Sequence, residues 1–401
     1  MKWFVLFCIL LCMLLFLGGC SGGQEIEDCL FVISMAVDPA QDGNLTVTVK
    51  ALSGTQEAAA PQEAPTGQEG ASGEETSGAS GTETAKGENT EPGYVVMSAT
   101  AKSCLAALNL LGATTPRTVN LSQLKEIVIA RTLAETSATL SILKEIYALY
   151  EANGGAVVVV TPDNAGDFIR RQYAMFGVRL SQYLQVLFEH FSDIDTIPPQ
   201  AQLSSVIAAM ESGTQDAAAV YAAGNSFDSP LVLSGAPQTD RLPGHLPRTA
   251  PAQNEYLGSA IFSGSQMMGT LTGDETGLLC LVMGKANTRT FTLNGAQYKT
   301  NVATRVRREI DQSTGALCVH IRMNLTRIAG TSSDSAQEIA RQIETGAAAL
   351  LERLRAMGSD AVGFGKIAVK SSLTIAQWER FDWKTHYTGR PIRVTAQVRL
   401  Q

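Results

Sequence analysis

Residues 125–161, KEIVIARTLAETSATLSILKEIYALYEANGGAVVVVT, decide the fold class. Lys125 to Arg131 is a short apolar run bounded by charge, which reads as a strand. Residues 133–152 then place Leu140, Leu143, Ile146, Tyr147 and Tyr150 at three- and four-residue spacing, one face of a helix. Asn153-Gly154-Gly155 stops that helix. Ala156 to Thr161, rich in valine, is a second strand. Working back towards the N-terminus, Leu30 to Val37 and Leu45 to Leu52 read as strands joined by a turn at Asp42-Gly43. Tyr94 to Met97 resumes strand character, and a helix is expected near Ala99–Leu111 with Leu105, Leu108 and Leu111 on one face. Strands alternating with amphipathic helices after a hairpin predict an α+β fold, with mixed and antiparallel sheets and helices packed on them.

Towards the C-terminus, residues 165–212 read as mostly helical with a break at Pro198-Pro199, and residues 224–255 as an irregular connection rich in Pro, Gly and Ser. Tyr256 to Phe262 is expected to pair with Met267 to Leu271 across Ser263-Gly264-Ser265. Thr272 or Asp274 caps a short helix through Met283. Strands are expected over 287–293, 297–310 and 316–328, with turns at Asn294-Gly295 and Asp311–Gly315. Ser335 and Glu338 have capping-box spacing. The helix they start carries Ile339, Ile343, Ala347, Leu350, Leu351 and Leu354 on one face. Pro391 to Leu400 alternates as a half-buried strand.

The first residues have a different layout. Lys2 is followed by an unbroken apolar run from Trp3 to Leu17, then Gly18-Gly19-Cys20. Charge, short apolar core and small residues have the layout of a signal peptide, and the cysteine after them resembles a bacterial lipobox. The run is short for a spanning helix, which takes about 20 apolar residues. Cys20 is therefore the expected lipidation site, and the signal covers residues 1–19. No later segment approaches a span. The remainder divides into a domain over 20–195, a helical and irregular connection over 196–255, and a second α+β domain over 256–401.

The formal net charge of −7 resides in one segment. Residues 53–93 hold eight acids (Glu57, Glu63, Glu69, Glu74, Glu75, Glu83, Glu88, Glu91) and one base, Lys86, so the rest is balanced at 30 of each. A balanced body lacks the basic face that a nucleic-acid binder needs. The segment has no large apolar residue before Tyr94, and is expected to be a disordered insertion in a loop of one domain.

Catalytic and metal motifs are not found. Cys29, Cys104, Cys280 and Cys318 stand far apart in apolar surroundings with no CxxC, which predicts free buried thiols. His190, His245, His320 and His386 make no metal spacing, and no G-x-S-x-G is present. Gly363-Phe-Gly-Lys-Ile-Ala368 matches G-x-G-x-x-A, but a helix is expected before it and a strand-like Lys366–Val369 after it, the reverse of a dinucleotide fingerprint. Its glycines are expected to serve a turn. Arg305, Arg307, Arg308, Arg322 and Arg327 fall on neighbouring strands. They read as a solvated face paired to acids such as Glu309 and Asp311, or as a docking face for membrane head groups or an acidic loop of a partner.

Several stretches, taken together, resemble the Ger(x)C spore-germination lipoproteins. They are Cys20…Glu25-Ile-Glu-Asp28 with Val37-Asp38 and Asp42-Gly43; Leu124-Lys-Glu-Ile-Val-Ile-Ala130; Tyr256-Leu-Gly-Ser-Ala-Ile-Phe262 with Met268-Gly-Thr-Leu271 and Asp274-Glu-Thr276; and Asp360-Ala-Val-Gly-Phe-Gly365 with Trp378, Trp383 and Ile392-Arg-Val-Thr-Ala-Gln-Val398. The acidic insertion, and Ser21-Gly-Gly-Gln24 after the cysteine, depart from the family pattern. The resemblance implies an elongated multi-domain lipoprotein on the outer face of the inner spore membrane. It would be the C subunit of a nutrient germinant receptor beside two integral-membrane subunits, on which germinant binding is generally placed, with no catalytic activity; the residues themselves give no cofactor, metal or nucleic-acid partner. Other classes in view are a solute-binding lipoprotein of a transporter, which needs two similar lobes that the halves here do not form, and an envelope hydrolase, which needs a nucleophile motif.

Overall fold

The computed structural model describes residues 26–53, 93–149, 152–175, 178–193, 195–225, 242–246, 254–286, 290–293, 296–300, 304–330, 335–371 and 374–401, with Trp3. Cys20, the rest of the expected signal segment and residues 54–92 of the acidic insertion lie outside the described residues. Among the described residues, no helix is long and apolar enough to cross a membrane.

β1 (Cys29–Pro39) is the spine of the larger sheet. It pairs antiparallel with β2 (Leu45–Leu52), which pairs with β3 (Tyr94–Ala101). A helix α1 (Cys104–Gly112) follows, then the short β4 (Thr118–Asn120), parallel to the start of β1. β5 (Glu126–Ala130) lies parallel to β1. The expected helix over 133–152 is two pieces, α2 (Arg131–Ala134) and α3 (Thr139–Tyr147). The Thr136 hydroxyl donates to the Leu133 carbonyl at 2.7 Å and closes the first turn there. β6 (Val157–Thr161) continues the parallel set. The segment read as mostly helical holds α4 (Ala165–Arg170), α5 (Leu180–Asp193) and α6 (Leu203–Ser212). β7 (Ala218–Gly224) lies parallel to β6. β8 (Asn254–Ser263) then pairs antiparallel with β7, and β9 (Gln266–Leu271) with β8.

One sheet, in the order β3-β2-β1-β5-β6-β7-β8-β9 with β4 beside β1, thus runs across the boundary expected between residues 255 and 256. Its parallel centre is buried on both faces, which explains the uninterrupted Val157–Val160. α1, α3 and α6 cover one face over Met35, Ile127, Ile129 and Val158. α4 and α5 cover the other over Ile33, Val128 and Val159.

The remaining residues build a second sheet. α7 (Gly273–Val282) starts at a reciprocal cap between Thr272 and Glu275 and is buried through Leu279, Cys280, Leu281 and Val282. β10 (Thr290–Leu293) pairs with β11 (Ala296–Thr300). The strand expected over 297–310 is β11 and a separate β12 (Arg305–Ile310). Both lie antiparallel to β13 (Leu317–Ala329). α8 (Ala336–Ala356) buries the six residues expected of it. α9 (Gly365–Ala368), α10 (Ile375–Phe381) and α11 (Trp383–Thr388) follow, and β14 (Ile392–Leu400) closes the sheet parallel to β13. The Glu344 carboxylate of α8 accepts the Ala396 N–H at 2.7 Å, a side-chain cover on β14 of the kind that protects sheet edges.

Two further expectations are corrected. The helix placed near Ala99 begins only after the Ser103 cap, because β3 runs to Ala101. Its buried face is Cys104, Ala107, Leu108 and Leu111, so Leu105 points outward and is 43% exposed. The strand-like Lys366–Val369 is helical at α9, for a reason found in the site below.

The Ser53 N–H donates to the Gly93 carbonyl at 3.0 Å, so the insertion leaves and re-enters at one point. Replacing 54–92 with a short Gly-Ser linker is expected to change the melting temperature by less than about 3 °C, since closure entropy grows slowly with loop length. A larger fall in a thermal melt would show that the segment stabilises the body.

Candidate functional site

Three polar constellations stand out, and none is a catalytic arrangement. The first joins the two sheets. Asp360, in the loop after α8, is 3% exposed. Its Oδ1 accepts the N–H groups of Gly363 and Phe364, each at 2.9 Å. Its Oδ2 accepts Gly365 N–H at 2.7 Å and Trp383 Nε1–H at 2.9 Å. Asp216, just before β7, accepts Gly264 N–H at 2.7 Å, Asp360 N–H at 2.8 Å and Lys384 Nζ at 3.0 Å. Burial pushes the Asp360 carboxyl up to about 7, although its backbone and Trp383 donors pull the other way. A carboxylate at these three N–H groups caps the start of α9, which is why 365–368 is helix.

The loop fits tightly. A Cβ on Gly365 would sit 2.5 Å from the Thr214 carbonyl and 2.7 Å from Trp383 Nε1, and Gly363 has φ +81°. The G-x-G-x-x-A match therefore follows a carboxylate-filled turn and holds no phosphate cradle. Gly258 is similarly fixed in β8, with φ +103° and the Leu271 carbonyl 2.5 Å from any added Cβ.

The second constellation lies inside the central sheet. Glu126 of β5 is fully buried, and burial raises its pKa. Ser34 Oγ lies 2.8 Å from Glu126 Oε1 and 3.0 Å from Gln172 Oε1. Tyr256 donates to Glu126 Oε2 at 3.2 Å and accepts Gln172 Nε2 at 2.7 Å, while Gln172 Nε2 also reaches Glu126. Lys50 of β2, 1% exposed, donates to the Gln172 carbonyl and lowers the Glu126 pKa by its charge. Asp38 is buried nearby on β1 and accepts the Ala165 and Gly166 N–H groups at 2.7 and 2.8 Å, capping α4. These acids tie the elements that follow β5 and β6 to the strands before them.

The third is the basic face of the second sheet. β12, β13 and β14 present Arg305, Arg307, His320, Arg322, Arg393 and Arg399 on one side by register. Glu309 pairs with Arg307 at 2.7 Å and His320 at 3.2 Å, and Asp311 with Arg393 at 3.5 Å. Hydrogen bonds from Ser313 and Thr314 hold the Asp311 carboxyl well below its usual value. Arg308, grouped with this face in the sequence, points inward instead. It donates to the Val362 carbonyl, and burial lowers its pKa. Arg327 lies opposite the buried Tyr298, on the other register.

Sequence reasoning named the Asp360 stretch and the arginines but missed Asp216, Lys50, Gln172 and the Tyr256 hydroxyl. Glu126 left a signal, a charge inside a strand otherwise apolar. The four cysteines are free and buried, and burial pushes the Cys104 thiol up to about 12. Among the described residues no group of His, Cys, Asp and Glu could hold a metal ion.

Comparison with known proteins decides the family. Residues 22–223 match the spore germination protein N-terminal domain, and residues 257–401 match the spore germination B3/GerAC-like C-terminal domain. The chain belongs to the Ger(x)C family of germinant-receptor C subunits. Members of that family are receptor subunits without catalytic function. The two Ger(x)C domains meet at the β7–β8 pair, so the gap between them falls within one continuous sheet. The crystal structure of the GerBC protein is similar to this chain at 13% identity and a TM-score of 0.42, covering 94% of this chain and 99% of that one. No curated protein matches.

Proposed function

We propose that this Ger(x)C chain is a membrane-anchored lipoprotein that contributes to the assembly of a spore germinant receptor and to its response to nutrients. The observation that carries the reading is the pair of Ger(x)C domains in order along most of the chain. The anchor is diacylglycerol on Cys20, on the outer face of the inner spore membrane, and the partners are two integral-membrane subunits. Two acyl chains give stable anchoring, at about 0.8 kcal/mol per buried methylene.

Cys20→Ala, made with the signal segment retained, is expected to abolish labelling by a palmitate analogue and to move the chain from the membrane to the soluble fraction. Equal labelling of variant and wild type would refute the anchor. Removing the chain from spores is expected to abolish their response to the nutrient that this receptor reads, with recovery on re-expression of the wild type. An unchanged response to every nutrient tested would refute the receptor role.

A further inference from the structure

The outer face of the second sheet carries six bases, Lys299, Arg305, Arg307, Arg322, Arg393 and Arg399, against Glu309 and Asp311. Those two acids are engaged with Arg307, His320 and Arg393. Register places Arg305 directly opposite Arg322, and like charges in that position are destabilising. Arg322 Nε donates to the neutral Gln397 Oε1 at 3.0 Å, which offsets none of its charge. This face therefore has a cationic excess and an arginine pair suited to an anion between them.

The same chain carries the complementary charge. Residues 54–92 hold eight acids and one base, and no large apolar side chain. Both ends are rooted at the Ser53–Gly93 hydrogen bond at the end of the β2–β3 hairpin. Its midpoint lies about 20 residues from either root, a reach of roughly 65 Å at full extension. The main path of the larger sheet has eight strands, about 34 Å across at ordinary strand spacing.

We propose that residues 54–92 dock by charge on the basic face of β12, β13 and β14, and compete there with other polyanions. The contact is made by carboxylates on guanidinium groups in solvent, so salt weakens it.

The test uses the full chain in detergent micelles. Donor and acceptor dyes are placed at Ser72→Cys and Gln401→Cys, the four structural cysteines being buried. Energy transfer is expected to fall at least about twofold between 0.05 and 0.5 M NaCl, where the screening length drops several-fold. The same fall is expected at low salt in Arg305→Glu/Arg322→Glu/Arg399→Glu, with melting temperature as the folding control. Transfer insensitive to salt would overturn the proposal, and this arm stands even if the charge-reversed chain does not fold. Transfer lost on dilution would assign the contact to a second copy, and would also overturn it. A second arm titrates inorganic polyphosphate. Deleting 54–92 is expected to tighten its binding about tenfold, and equal binding would show that the segment leaves the face open.

Discussion

Asp360→Ala is expected to lower stability by about 4 kcal/mol. The substitution deletes both oxygens that accept four buried donors, the N–H groups of Gly363, Phe364 and Gly365 and the indole N–H of Trp383. A buried donor left unpaired costs roughly 1–3 kcal/mol, and the Gly363 N–H keeps a second acceptor in the Asp360 main-chain carbonyl at 3.1 Å, so three donors carry the loss. The melting temperature should fall by about 10 °C, measured by circular dichroism. A change under about 2 °C would mean that the loop rearranges to satisfy its own donors. The carboxyl also sets a pH dependence. Its folded pKa of about 7 stands above the ordinary carboxyl value of 3.8 that the unfolded chain has. Between those values the folded chain holds a proton that the unfolded chain has lost. The contribution is therefore complete below pH 3.8 and falls away as pH rises to about 7. Glu126 and Asp38 are raised as well and act in the same direction. Stability should decline from pH 5 to pH 8, and Asp360→Asn, which has no proton to exchange, should flatten part of that slope. A slope unchanged in Asp360→Asn would remove Asp360 as its source.

The second large effect is expected inside the central sheet. Lys50→Met removes the cation that favours the charged form of Glu126 and the donor to the Gln172 carbonyl. The loss leaves the buried Gln172 carbonyl without this donor and Glu126 without a neighbouring cation, at a cost of roughly 1–3 kcal/mol. Lys50→Met/Glu126→Gln should recover at least half of the loss, since an amide keeps hydrogen bonds to Ser34 and Tyr256 without a charge. Urea unfolding of the two single variants and the double variant measures this coupling. Additive losses would show that Lys50 and Glu126 act independently.

The strands and most helices were legible because local pattern sets them. KEIVIA and VVVVT are buried on both faces and read as apolar runs, and α8 shows its buried face at three-four spacing throughout. Errors fell where a side chain far away or a cap decides the outcome. The start of α1 depends on Ser103, and the break before α3 on Thr136. α9 depends on Asp360, whose own N–H is held by a residue 144 positions earlier. No period or spacing reveals such a pair. The continuity of the larger sheet through β7 and β8 was hidden for the same reason, since the residues between them read as a linker. The basic face was legible as composition but not as geometry. Strand register removes Arg308 and Arg327 from it and adds Arg393 and Arg399.

The central claim, a lipid-anchored chain that holds membrane subunits in a germinant receptor, is tested most directly by affinity purification of the full-length protein from solubilised spore membranes. Quantitative mass spectrometry should recover two multi-span receptor subunits in fixed ratio to the chain, and Cys20→Ala should reduce that recovery sharply. Recovery of the chain alone, or with a transporter permease and its ATPase instead, would contradict the account.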